Sequence, residues 1–400
     1  MWIEKKIPKS IYIHWPFCLQ KCSYCDFLSF QQHENFYKQY HDALCNEINS
    51  FGSLFKSDEE VSKIRTVYFG GGTPSLYPKD LLKELFDVLH KNFRIEKDVE
   101  ITFEVNPFGV LEEDLIFWKS LGINRVSVGV QTLNDNVLCD FKRKQSKKDV
   151  FDLIAILPKY FENISIDLIV GLPGVMFDEW QKTLLEVCNW SIKHISIYLL
   201  TIYENTPLYY KVKNGEISLP DEDMLIEMYE YTVNFLAQKQ ILQYEISNFA
   251  TLGYESRHNL VYWDHSEYVG FGLGASSFDG NRRSVNLKNF TSYLNRYKIF
   301  YCLEKNLYIP HHFYDFVEFI DDGKKKTEKL MLGLRKTSGM DLHSMLYFLN
   351  EGDRAAMMKK IDFLKESGLI EFKGTKISLT LKGMMLEEEV VLNLVRSVNC

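Results

Sequence analysis

The chain has 400 residues, enough for two or three domains with sizeable cores. Its 46% hydrophobic and 25% charged residues are those of a globular protein, and a net charge of -7 argues against a broad nucleic-acid-binding face. No apolar run approaches the roughly 18 residues of a membrane-spanning helix. The first residues lack the apolar stretch of a signal peptide, so the 8 cysteines read as reduced thiols of a cytoplasmic protein.

The first predicted strand, Ile11–His14, runs into Cys18-Leu-Gln-Lys-Cys22-Ser-Tyr-Cys25. Three thiolates at this spacing on one loop can converge on a single inorganic cluster. A four-iron cluster held by three cysteines leaves one iron open to a non-protein ligand. Structural zinc, the alternative, takes a fourth ligand, and His14 precedes the loop at an unusual spacing for one. From here to residue 200, short apolar runs alternate with helical periodicity. Strands are expected at Thr66–Phe69, Val99–Val105, Arg125–Val130, Ile164–Val170 and His194–Leu200. Helices are expected at Lys79–Lys91, Leu111–Leu121, Lys147–Leu157 and Asp178–Trp190. The alternation predicts an α/β fold with a parallel sheet, either doubly wound or a partial β/α barrel. Both place ligands at the C-terminal ends of the strands.

The chemistry-bearing residues fall at those ends. Gly70-Gly71-Gly72-Thr73-Pro74 follows the second strand, and its glycines let backbone N–H groups approach a carboxylate or phosphate. Glu104 ends the third strand, before Asn106-Pro107. The fourth ends in Gly129-Val130-Gln131, with Arg143 beyond it, and the fifth carries Asp167. Residues 201–220 read as a polar, turn-rich loop, and a helix is expected from Asp221 to about Lys239. Further on, His258-Asn259-Leu260-Val261-Tyr262-Trp263 precedes Gly270, Gly272 and Gly274, a glycine-rich turn that could admit a flat ligand. Histidine is a common heme or metal ligand, which makes His258 a candidate, with His265 as its local competitor. Helices at Lys324–Arg335, Leu342–Leu349 and Ala355–Glu366 lead to a hairpin, Leu369–Phe372 with Ile377–Leu379, and a last helix at Leu381–Arg396. That order predicts a small winged-helix-like domain. Basic and acidic residues are nearly balanced there, so nucleic acid is not its expected partner.

The run from Ile11 to Phe27, IYIHWPFCLQKCSYCDF, resembles the signature loop of the radical S-adenosylmethionine (SAM) enzymes. It is most similar to the oxygen-independent coproporphyrinogen III oxidase group, which includes the heme chaperones of the HemW type. The resemblance implies a partial (β/α)6 barrel with a C-terminal α/β extension and the winged-helix-like domain. It implies a [4Fe–4S] cluster on Cys18, Cys22 and Cys25, with SAM chelating the open iron. It assigns SAM contacts to Tyr12, Gly71, Gly72, Thr73, Glu104, Gln131, Arg143 and Asp167. The expected domains are 1–240 for the barrel, 241–300 for the block carrying the histidine motif, and 301–400 for the C-terminal part. Two features separate the members of the group. Its oxidases usually carry a fourth cysteine where this chain has Phe27, and the HNxxYW block at His258 matches the chaperones. The chaperone reading implies heme transfer to acceptor proteins, including ones at a membrane surface, and is compatible with a homodimer. The alternative is oxidation of coproporphyrinogen III to protoporphyrinogen IX. One departure stands out. The family often has Leu-Gly-Arg-x-His around the arginine, whereas here the run is Phe141-Lys142-Arg143-Lys144-Gln145.

Overall fold

The computed structural model describes residues 8–53, 63–300, 314–347 and 349–396. The residues read for a signal peptide at the very start, 1–7, and the beginning of the predicted third domain, at 301, lie outside the described residues. The chain packs as two compact units. One comprises Met1–Asp221 and Glu267–Glu318; the other comprises Glu222–Ser266 and Phe319–Cys400. Residues 222–266 thus pack with the C-terminal part of the chain, a grouping at long sequence separation that differs from the expected boundaries at 240 and 300.

The first unit is built on β1 (Ser10–Trp15), β2 (Ile64–Gly71), β3 (Ile95–Val105), β4 (Arg125–Gln131), β5 (Asn163–Val170), β6 (His194–Leu199) and β7 (Val269–Phe271). All pair in parallel, in the order β7-β1-β2-β3-β4-β5-β6. The strands are apolar on both faces, as parallel strands covered by helices must be; every residue of Arg125–Val130 is buried. A doubly wound sheet reverses its strand order at a switch point. Here β1 to β6 lie side by side in chain order without such a reversal among them, the strand order of the partial-barrel alternative. The helices Lys79–Asn92, Glu112–Ser120, Lys147–Ile156 and Phe177–Val187 fall where periodicity places them. Residues 201–220 are not wholly loop. Thr206 caps a helix, Pro207–Lys213, with proline at its first turn, so signals of a turn were those of a helix start.

Part of the high aromatic content forms a wall behind the cysteine loop. Trp15 is fully buried and stacks on Tyr77 with ring centres 3.9 Å apart, while Phe17, Tyr37 and Tyr40 meet it edge-on or nearly so. Helix Tyr37–Ser53 crosses this wall and carries a buried carboxylate, Glu47. Glu47 accepts from Gly272 N–H (2.9 Å), Asn286 Nδ2 (2.6 Å) and the Tyr293 hydroxyl (2.7 Å), which ties the turn after β7 to the barrel edge.

The second unit holds helix Glu222–Gln238, the hairpin Leu242–Glu245 with Asn248–Ala250, and helix Arg257–Trp263. Its C-terminal part packs helices Asp322–Leu334 and Glu351–Glu366 on a three-stranded antiparallel sheet formed by Met340–Asp341, Lys376–Leu379 and Ile370–Lys373. The helices and hairpin expected here from the sequence are present. Leu330, Leu334, Ile361, Leu364, Ile370, Ile377 and Leu394 share the core of this part. The predicted last helix is two, Leu381–Met385 and Glu387–Val395.

A candidate cluster and cofactor site

The cysteine loop leaves β1 through Pro16 and closes on itself by a short parallel pair, Phe17–Cys18 with Phe30–Gln31. Cys25 N–H donates to the Cys22 carbonyl (3.2 Å), forming the turn between two of the thiols. Ser23 N–H donates to the Phe141 carbonyl (3.1 Å), anchoring the loop beside the Arg143 segment. Cys18, Cys22 and Cys25 line one cavity of about 360 Å³ together with residues from the C-terminal ends of several strands. That volume is in the ~300–1,000 Å³ range of small-molecule sites. Burial pushes the Cys25 thiol up to about 11 and raises Cys18 against the opposing hydroxyls of Thr73 and Ser29.

The strand ends complete the cavity. Gly72 must be glycine, because a Cβ there would lie 2.6 Å from the Phe17 carbonyl oxygen. Gly71 has φ +112, and a Cβ would meet the His14 ring at 2.6 Å. Asn106 donates through Nδ2 to Thr73 Oγ1 (3.2 Å) and accepts from Arg143 Nη2 (2.9 Å). Arg143 also reaches the Gly129 carbonyl (2.8 Å) and Cys22 Sγ (3.5 Å), while its Nε is buried without a hydrogen-bond partner. Glu104 accepts from the Tyr68 hydroxyl at 2.7 Å. Burial pushes its carboxyl up to about 7, with the nearby Asp167 charge acting the same way against the Tyr68 bond. Asp167 accepts from Ser127 Oγ (3.2 Å) and is likewise raised by burial. Gln131 sits at φ +67, where the β4–β5 register shifts.

The structure thus brings Cys18, Cys22, Cys25, Gly71, Gly72, Thr73, Glu104, Gln131, Arg143 and Asp167 to one cavity. Tyr12 is not among the lining residues. Its hydroxyl donates to His14 Nδ1 (3.1 Å), and its ring stacks on Tyr68. His14 donates from Nε2 to the Leu28 carbonyl (2.9 Å), and burial lowers it to about 4, so it is a neutral prop for the loop with both ring nitrogens engaged. His258 lies in the second unit, fully buried, with Nε2 2.9 Å from the Tyr262 hydroxyl. His265 pairs with Glu328 at 2.8 Å. The glycine-rich turn does not admit a flat ligand. A Cβ on Gly270, Gly272 or Gly274 would lie 2.2 Å from the Ser276 carbonyl, 2.6 Å from the Tyr40 hydroxyl and 2.6 Å from Leu28. These glycines permit chain-on-chain packing. Sequence reading passed over Asn106 as a holder of Arg143, and over Tyr198 and Tyr203, which line the cavity with the 68%-exposed Phe27. Only their position, Tyr198 near the end of an apolar strand and Tyr203 just beyond it, pointed to the two tyrosines.

Parallel strands in chain order, with three cysteines on the first loop and a glycine turn on the second, are the architecture of the Radical SAM superfamily, whose model matches residues 12–187. A heme chaperone HemW from Bacillus subtilis is 34% identical over 96% of this chain and 98% of its own length. One from Lactococcus lactis is 34% identical, covering 83% of each. Among solved structures, the Escherichia coli coproporphyrinogen III oxidase HemN superposes with a TM-score of 0.81 at 22% identity, covering 99% of this chain and 92% of that one. The chain belongs to the radical SAM superfamily and, within it, to the HemW family.

Membership of the superfamily implies a [4Fe–4S] cluster and SAM. The residues fit them. Among the described residues no three His, Cys, Asp or Glu side chains group around a single ion, yet three thiols face one cavity. A four-iron cluster spreads its ligand sulfurs further apart than one ion does. The unpartnered Arg143 Nε and the side-chain-free Gly71-Gly72 turn are a donor and a cradle suited to an anionic or carboxylate-bearing ligand.

Proposed function

We propose that this protein is a heme chaperone that holds a [4Fe–4S] cluster and SAM and passes heme to acceptor proteins. The observation that carries the reading is the end-to-end likeness to relatives named as heme chaperones, 34% over 96% of the chain. Cys18, Cys22 and Cys25 would hold the cluster, which with SAM bound supplies one-electron chemistry at the open iron. Gly71, Gly72 and Thr73 would present backbone and hydroxyl groups to SAM, with Glu104, Gln131, Arg143 and Asp167 fixing its polar groups and Tyr12 supporting them from β1. His258 is the proposed heme ligand. To reach iron its Nε2 must give up the Tyr262 hydroxyl, so heme binding would be coupled to a local rearrangement of helix Arg257–Trp263.

The competing reading, oxidation of coproporphyrinogen III, draws on the fold of the Escherichia coli enzyme. Its substrate carries several carboxylates and calls for cationic partners. Among the described residues lining the cavity, the only cations are Lys21 and Arg143. Lys21 Nζ is bonded to the Phe27 carbonyl (3.0 Å), and Arg143 commits its terminal nitrogens to Asn106, Gly129 and Cys22, leaving only the Nε already assigned to SAM. That lining favours the chaperone. The test is an anaerobic heme titration of the reconstituted protein, followed at the Soret band. Wild type should take up heme stoichiometrically, and His258→Ala should lose or shift the band. No uptake by wild type contradicts the chaperone reading; unaltered uptake by His258→Ala removes His258 as ligand.

A further inference from the structure

We infer that Gln145 is a positioning residue for the cofactor cavity: its side-chain amide props a strained turn that presents Gln131 to the bound SAM. The inference rests on the radical SAM reading above. β4 ends in an unusual conformation. Gln131 has φ +67, a left-handed backbone that a non-glycine residue adopts at a cost. Thr132 N–H donates to the Val130 carbonyl (2.9 Å), closing a three-residue γ-turn with Gln131 at its centre. The register with β5 shifts here, so the ladder does not hold this end of the strand as it holds the rest.

Gln145 supplies what the ladder does not. It is 5% exposed, and its Nε2 donates to both the Gly129 carbonyl (2.7 Å) and the Val130 carbonyl (2.9 Å), the two that precede the turn's centre. Arg143 Nη2 shares the Gly129 carbonyl at 2.8 Å. Gly129 lets this converge: a Cβ there would lie 3.0 Å from both Arg143 Nη2 and Gln131 Nε2. A primary amide carries two N–H bonds on one nitrogen and can serve two adjacent carbonyls. Histidine, the residue often found at this place in the family, offers one N–H per ring nitrogen and would serve them less well. The outward-pointing Gln131 lines the cavity with Arg143 and Asp167, whereas Gln145 does not line it, so Gln145 acts through the turn.

The test is SAM binding, by calorimetry, to the anaerobically reconstituted full-length protein, with iron and sulfide counted in parallel. Gln145→Met keeps the shape and removes both donors. It should keep its cluster while SAM affinity falls about tenfold, the effect of one or two lost hydrogen bonds at ~1 kcal/mol each. Gln131→Ala should show a similar loss, and the double variant should lose little more, because the first acts through the second. Additive losses, or Gln145→Met affinity within twofold of wild type, would overturn the positioning role. If Gln145→Met does not fold, Gln145→His carries the test: a weaker loss of affinity is expected, and unchanged affinity overturns the role. Wild type that fails to bind SAM would instead overturn the radical SAM reading itself.

Discussion

Lys142 is where this chain pays for departing from its family, and glycine there should stabilise it. Helix Asp135–Asp140 ends with Lys142 N–H on the Cys139 carbonyl (2.9 Å) and Arg143 N–H on the Leu138 carbonyl (2.8 Å), the paired bonds of a Schellman cap. The residue after the cap must then be left-handed, and Lys142 has φ +57. Lysine there costs ~1–2 kcal/mol relative to glycine in the folded state. Glycine returns about 0.5–1 kcal/mol of that through the freer unfolded chain. The Lys142 side chain is exposed, so little packing is lost. Lys142→Gly should therefore gain about 0.5–1 kcal/mol, or roughly 1–3 °C in Tm for a unit of this size. The assay is thermal unfolding of the cluster-free protein beside Lys142→Ala, which still carries a Cβ and should gain nothing. Equal gains from glycine and alanine would refute the backbone argument and point to the lysine charge instead.

Three further outcomes are expected. Glu104 has its carboxyl raised to about 7, so its contribution to stability is fully present below its ordinary value near 4.5 and is lost as pH rises through about 7. Glu104 alone accounts for on the order of 3 kcal/mol across that window, so the stability of wild type relative to Glu104→Gln, which cannot ionise, should fall by about that much between pH 4.5 and 7.5 in denaturant titrations. Gly72→Ala forces a Cβ to 2.6 Å from the Phe17 carbonyl, so it should cost roughly 1–3 kcal/mol and lower the iron bound on reconstitution. His14→Phe removes the Nε2–H that holds the Leu28 carbonyl and should reduce cluster retention, measured as iron remaining after gel filtration, while Cys139→Ser, whose exposed side chain does not line the cavity, should not.

Sequence was most informative where one residue type answers one physical need. Apolar strands buried on both faces, helices at regular spacing and a cysteine triplet on the first loop are local patterns, and the strands begin and end within a few residues of expectation. Reading failed where a feature depends on a distant partner. Gly270, Gly272 and Gly274 looked like room for a ligand; only the fold shows Ser276, Tyr40 and Leu28 already filling it. Helix Tyr37–Ser53 was passed over because its buried face includes His41 and Glu47, polar groups whose partners lie in other elements. Gln145 registered only as a mismatch to a motif, since its role depends on carbonyls of β4 that come close only in the folded chain.

The central claim, a heme chaperone on a radical SAM scaffold, is tested most directly by a paired anaerobic incubation. Reconstituted protein with SAM and a low-potential reductant receives coproporphyrinogen III in one tube and heme in the other. Products are followed by chromatography and bound heme by the Soret band. Stoichiometric heme retention without decarboxylation is the predicted result. Catalytic formation of protoporphyrinogen IX would contradict it and make the protein an oxidase with phenylalanine in place of the fourth cysteine.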